Sequence, residues 1–421
     1  MTSLTRELFS TSLFTVRFRP LFVALSLAAL TAGGCSKAPT KDELLARAND
    51  DFAAQQYDRA EKAYREVLRL SPDDPAALRQ LALIYYDQAQ LPQAYELLKR
   101  AAELRPDDLE LLLDVGQTSL TVGDLQRAHD AAVAVLDKRL GDEQALVILA
   151  SATTPDDAED TRKFIEELRA KDQDRAGYHL ATGILALRQQ DAARAESEFG
   201  TAAKLDPNSS IAHLAVANLA WNRNDLKKAD EAFKSAVDLS PLRSPVRLRY
   251  ADFKLRTGAP TEAKATLDAM TAKYPDYLPP RVFSMKIVCA EHQDEDCAAR
   301  VQSILAQDPI NYEAVFQDGL LSLAKGDANK AIREFEYLTN TYPQNPLVRY
   351  QLARAYLLSA KGQNPNNARV ATDAAESRLN EAIELNPYYE PAVLMYAELK
   401  IRKGSPAVAA DALMELLKQQ P

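Results

Sequence analysis

Four histidines, three cysteines and several paired carboxylates are the side chains of this 421-residue sequence best suited to chemistry. His179 and His213 stand 34 residues apart, while His129 and His292 fall outside that spacing. Two imidazoles do not make a zinc site, which takes three or four ligands, and no third Cys, His or carboxylate keeps step with this pair. The expectation is packing rather than metal binding. Cys289 and Cys297 are eight residues apart. They are either a disulfide or two small buried residues, and the compartment decides between these. Asp73–Asp74 and Asp107–Asp108 fit helix caps, because a carboxylate accepts from the free N–H groups of a helix start. The sequence contains no phosphate-cradling glycine loop, Gly-x-Ser-x-Gly turn or His-Glu-x-x-His pair. We therefore expect no catalytic residues, no cofactor and no enzyme.

The 34-residue interval leads to the elements that carry these residues. Residues 75–108 read PAALRQLALIYYDQAQLPQAYELLKRAAELRPDD. Leu78, Leu81, Ala82 and Tyr85 form one helical stripe, and Ala94, Leu97, Leu98 and Ala101 form a second. Gln-Ala-Gln-Leu-Pro separates them, and Pro106 prevents continuation. Such a hairpin cannot bury both apolar faces alone and needs copies on each side. The copies run in register over 41–74, 75–108, 109–142, 143–175, 176–209, 210–243, 244–277, 278–311, 312–345, 346–389 and 390–421. A small residue recurs at the eighth place (Ala82, Gly116, Gly183, Ala217, Gly319), with Met285 the main exception. Alanine opens the second helix (Ala94, Ala195, Ala229, Ala331), and a larger group follows one turn later (Leu98, Phe199, Phe233, Phe335). Pro72, Pro106, Pro207, Pro241, Pro275, Pro309, Pro343 and Pro387 close units.

This pattern resembles the tetratricopeptide repeat (TPR) family. The resemblance covers nearly all of 41–421 and implies an all-α, right-handed α-solenoid of about eleven two-helix units. Residues 41–142 hold three regular units. Unit 143–175 is degenerate: 153–157 (TTPDD) cuts its first helix short, and its second part, 160–169, is short and charged, which suggests a compressed repeat and a bend. Units 176–345 are regular. Unit 346–389 carries about ten extra residues, 359–373, expected as a tolerated insertion at the hairpin tip. Unit 390–421 ends on an apolar stripe (Ala409, Leu413, Leu416, Leu417) with no helix after it, which would suit docking onto a partner or a second copy.

Formal charge is −9, and the first 34 residues carry Arg6, Arg17 and Arg19 against Glu7. A chain starting at residue 35 therefore carries about −11, which argues against nucleic acid as partner. Arg17 and Arg19 precede an apolar run over 21–30, too short to span a bilayer, and then 31–35 (TAGGC). Small residues ending in cysteine resemble the bacterial lipoprotein signal. That resemblance implies 1–35 as signal peptide, acylation of Cys35, 36–40 as a tether and, with Ser36 following, the outer membrane facing the periplasm. In that oxidising compartment Cys289 and Cys297, late in one helix and early in the next, become the disulfide candidate.

In the repeat family first helices line a concave face that holds peptides or helices. The second, fifth, ninth and twelfth places share that face. They give Leu180, Ile184 and Leu187; Leu214, Asn218 and Trp221; Leu248, Asp252 and Leu255; Val282 and Lys286; Phe316, Leu320 and Leu323; and Tyr350, Arg354 and Leu357. This is an apolar lane with sparse polar groups, centred on the only tryptophan. The family's carboxylate clamp finds a match in Asn218 alone, so that specificity is not carried over. The resulting expectation is a lipid-anchored envelope scaffold or adaptor that binds other envelope proteins or peptides. By resemblance it would support exopolysaccharide export or outer-membrane assembly. The alternatives are a direct polysaccharide- or peptidoglycan-binding carrier, which the 7% aromatic content disfavours, and a non-catalytic part of a larger repeat protein.

Overall fold

The structure, a computed structural model, describes residues 39–418. The expected signal segment, Cys35 and most of the tether lie outside them. From residue 41 the chain forms one compact unit. Every regular element in it is an α-helix, and none is long and apolar enough to cross a membrane. Repeats 1–4 are α1 (Lys41–Ala53) with α2 (Tyr57–Leu70), α3 (Pro75–Asp87) with α4 (Leu91–Leu104), α5 (Leu109–Val122) with α6 (Leu125–Leu136), and α7 (Glu143–Ala152) with α8 (Ala158–Ala170). Repeats 5–8 are α9 (Ala176–Arg188) with α10 (Ala192–Leu205), α11 (Ser210–Asn222) with α12 (Leu226–Asp238), α13 (Pro245–Arg256) with α14 (Pro260–Lys273), and α15 (Leu278–Ala290) with α16 (Asp294–Leu305). Repeats 9–11 are α17 (Tyr312–Ala324) with α18 (Ala328–Thr341), α19 (Pro346–Ala360) with α20 (Pro365–Leu385), and α21 (Glu390–Arg402) with α22 (Pro406–Leu417).

Each hairpin follows from the same few residues. Aspartates before first helices act as caps: Asp74, Asp108 and Asp142 accept from the N–H groups of Ala77, Leu111 and Ala145 at 3.1, 3.1 and 3.0 Å. The turn inside a hairpin needs one left-handed residue, the conformation glycine adopts without steric cost. Gly123, Gly258, Gly326 and Gly404 supply it, while Ala89 and His292 adopt it at φ 61° and 56°. Small residues at the eighth place let the edge of the second-helix aromatic press against the first helix. A Cβ on Gly183 would stand 2.4 Å from the Phe199 ring, and one on Gly319 would stand 2.6 Å from the Phe335 ring. Phe199, Phe233 and Phe335 are fully buried, and so is Met285, the exception to the small-residue rule.

Two expectations are refined. The extra residues of repeat 10, expected as an insertion at the hairpin tip, are largely helical. Asn364 caps Asn367 N, Pro365 occupies the first turn, and alanines at 368, 371, 374 and 375 carry the helix on, so α20 runs to 21 residues. In repeat 4, α7 is short at 10 residues, but α8 reaches an ordinary 13. The compression lies in the packing, because α9 rests directly against α7. Gly177 allows this contact, since a Cβ there would sit 2.9 Å from the Glu143 Cα. Elsewhere a first helix leans mainly on the second helix of the preceding repeat.

Candidate binding cleft

The lane over the first helices is largely closed by its own neighbours. Trp221 packs edge-on against Phe253 and Phe233, with ring centres 5.3 and 6.0 Å apart. The Arg249 guanidinium lies 4.6 Å over the indole, and its Nε donates to Asn218 Oδ1 at 2.9 Å. Trp221 and Asn218 are therefore half-buried and engaged by the next repeat. Leu180 is fully buried, Ile184, Leu214 and Leu248 are half-buried in the core, and Leu187 is exposed. Phe316 packs on Phe335, with Leu320 and Leu323 half-buried beside it. Tyr350 meets Tyr389 edge-on at 5.7 Å, beside the half-buried Leu357. Arg354 is exposed above the Tyr350 ring.

A cleft of about 1120 Å³ opens further along. Asp252 and Leu255 of the expected lane line it, together with Val282 and Lys286. The same wall adds Leu278, Phe283, Ile287, Ile310, Tyr312, Tyr337 and Tyr342 from repeats 8 and 9. The opposite wall is the hairpin turn of repeat 2, with Gln88, Ala89, Gln90, Pro92 and Gln93. Most charges at the cleft are paired with one another. Lys286 Nζ meets Glu313 at 2.7 Å, Arg256 Nε meets Asp252 at 2.7 Å, and Lys264 Nζ meets Glu291 at 2.6 Å. What the cleft offers a ligand is therefore chiefly apolar surface, and Ile310 and Tyr342 are exposed at its margin.

The two walls are far apart in sequence, and a cluster around Arg243 ties them together. Arg243 lies in the loop between repeats 6 and 7, and its side chain is 1% exposed. Its Nε donates to Asp87 Oδ2 at 2.7 Å, and its Nη1 reaches Asp276 Oδ2 at 3.2 Å. The guanidinium carbon sits 4.0 Å from the ring centre of Tyr57, 4.5 Å from that of Tyr277 and 5.5 Å from that of Tyr274. Beside it, Gln88 Nε2 donates to the Asp276 carbonyl at 3.1 Å, and Leu278 N donates to Gln88 Oε1 at 3.0 Å. Burial pushes the Asp87 carboxyl up to about 6 against the opposing pull of Arg243. Burial and the nearby Asp87 carboxylate raise the Tyr57 hydroxyl to about 12. The repeat pattern gives no sign of this cluster. Its outward trace in sequence is a boundary reading SPLRSP, with an arginine between two prolines.

The remaining candidates are placed simply. His179 is held by Glu198 at 2.6 Å and Asp174 at 3.2 Å, whereas His213 Nε2 meets the Pro207 carbonyl at 3.0 Å. The two periodic histidines are thus anchored by separate neighbours. Cys289 and Cys297 are bonded, with Cα atoms 4.9 Å apart, and link α15 to α16 across their turn. At the far end Ala409 and Leu416 are buried and Leu413 half-buried, while Leu417 and Met414 are exposed.

Tetratricopeptide repeat patterns match residues 51–115 and 220–286, and a second such pattern matches 180–244. These matches fall on helix hairpins that recur from end to end of the described chain. The chain is a tetratricopeptide repeat protein. Among curated proteins no sequence match is found. Similar solved structures include yeast Tom70, at 16% identity over 89% of this chain and 91% of that one, with a TM-score of 0.46. The APC/C hetero-tetramer Cut9-Hcn1 shows 14% identity over 90% and 94%, with a TM-score of 0.41. A tetratricopeptide repeat protein from Parabacteroides merdae shows 14% identity over 56% and 93%, with a TM-score of 0.38. At these levels nothing about partners passes from those proteins to this one. Tetratricopeptide repeats do imply a scaffold for protein–protein interaction.

Proposed function

We propose that this TPR protein is a lipid-anchored scaffold of the bacterial cell envelope that receives a partner's apolar helix in the cleft between repeats 2 and 7–9. The observation that carries the binding reading is the cleft itself, with apolar walls and charges mostly paired off. A cylinder about 10 Å across rising 5.4 Å per turn fills that volume in roughly two and a half turns, so a short helix fits. The envelope reading rests on the pattern of residues 17–35 and puts Cys35 at the anchor. Support of export or outer-membrane assembly belongs to the same reading, and the pathway follows from the partner's identity.

A photo-crosslinking residue at Val282, activated in cells, tests the binding reading. The expected result is one discrete protein adduct that disappears when Leu255 becomes Glu. Adducts to glycan, or to protein from Trp221 but not from Val282, would contradict it. Labelling with a radioactive fatty acid, expected to vanish in Cys35→Ser, tests the anchor separately.

A further inference from the structure

The contacts around Arg243 are ones that a row of repeats does not need. In an open solenoid each unit touches its neighbours, and stability is a sum of neighbour terms. Here Asp87 bonds a residue 156 positions away, and Gln88 bonds one 190 positions away. Repeats 1 and 2 are thereby joined to the boundaries of repeats 6, 7 and 8, and the chain closes on itself. The cleft depends on this closure, since one of its walls is the repeat 2 turn that begins at Gln88.

We propose that Arg243, Asp87, Asp276 and Gln88 form a reversible latch, and that the cleft is a two-walled site only while the latch is shut. The chemistry is that of a contact near balance. Shutting it removes a guanidinium and two carboxylates from water, with 1%, 19% and 16% of their side chains left exposed. Removing charges from water offsets much of the Coulomb attraction between them, so buried ion pairs add little net stability. The three tyrosine rings and the two Gln88 hydrogen bonds supply the remainder, since an arginine over aromatic faces gains as it is desolvated. Opening returns all of these charges to water while the packing between successive repeats stays in place. A small gap between shut and open states follows, and with it a measurable open population. A partner that touches both walls binds the shut form better and, by linkage, holds the latch shut.

The test uses the free full-length chain and needs no partner, so it stands or falls independently of the proposed ligand. Spin labels are placed on cysteines introduced at Gln93 and Ile310, both exposed and on opposite walls, with Cys35 changed to Ser. Distances are measured by pulsed electron resonance in the parent, in Arg243→Met and in Gln88→Ala, with helicity followed by circular dichroism. The expected result is a distance distribution that lengthens and broadens in both variants while helicity is unchanged. If Arg243→Met loses helicity, Gln88→Ala alone decides. An unchanged distribution in a folded variant would overturn the latch and leave a rigid strut in its place.

Discussion

Asp87 and Arg243 are bonded across 156 residues, whereas in the last three repeats the links reach about one unit. Asn345 meets Tyr312 across 33 residues, Arg349 meets Glu381 across 32, and Lys403 meets Asp373 across 30. The hairpins are alike in both regions, and a glycine–phenylalanine lock occurs in each, Gly183 with Phe199 and Gly319 with Phe335. The difference is that repeats 1–8 add a closing contact between distant units, whereas among the described residues no hydrogen bond of that reach touches repeats 9–11. The comparison separates two sources of order. Neighbour packing makes a solenoid stiff locally, and closure makes distant repeats cooperate and gives the molecule a walled site.

The comparison can be broken most strongly at Arg243. Arg243→Met leaves two buried carboxylates without their cation, a penalty of roughly 3–5 kcal/mol on the shut form that opening relieves by returning them to water. Repeats 1 and 2 should then lose amide protection toward the level of repeats 9–11, read by hydrogen exchange, with the latter unaffected.

Acidity should strengthen the closed region. Asp87 stands at about 6 in the shut state, above the ordinary 3.8 it regains when open. The shut form therefore holds the proton more tightly. Its extra stability is fully present below about pH 4 and is lost as pH rises through 6, for a difference of up to about 3 kcal/mol. The groups facing Asp87 are Arg243, Asp276, Tyr57 and Tyr277, with Tyr274 behind Arg243 and Asp58 near Asp276. Spin-label distances taken from pH 7.5 to 5 should shorten and sharpen. Asp87→Asn should flatten that dependence.

Two smaller effects sharpen the contrast. Reducing Cys289–Cys297 opens a loop of eight residues, worth roughly 2–3 kcal/mol in the chain-entropy account. The loss should appear in repeat 8, one wall of the cleft, as lower protection of α15 and α16. In the open region Gly319→Val drives a side chain into the Phe335 ring. Overpacking of this kind costs about 1–3 kcal/mol. It should lower the Tm and leave the Gln93–Ile310 distance alone.

These contrasts also explain what could be read from sequence. The hairpin was legible because its lock is local: Gly183 with Phe199 and Gly319 with Phe335 recur at a fixed offset, and Asp74 and Asp108 cap where their spacing places them. In the repeat 10 insertion at the hairpin tip, Asn364–Pro365 followed by alanines is a helix start. The binding lane was legible only in part. Trp221 stood out as the single tryptophan, but Arg249 from the next repeat covers it, a contact that periodicity does not encode. Leu255, Val282 and Lys286 do face the cleft. Its second wall and the latch depend on how small rotations between units add up over six repeats, and that sum is not written in any one repeat.

The central claim is that closure, not neighbour packing alone, orders the first two repeats and builds the cleft. Hydrogen exchange of the full-length chain, parent against Gln88→Ala, tests it most directly. The account predicts faster exchange in α1–α4 and in the boundary around residues 239–244, with α17–α22 unchanged. Equal exchange in α1–α4 of the two proteins, with the variant fully helical, would contradict it.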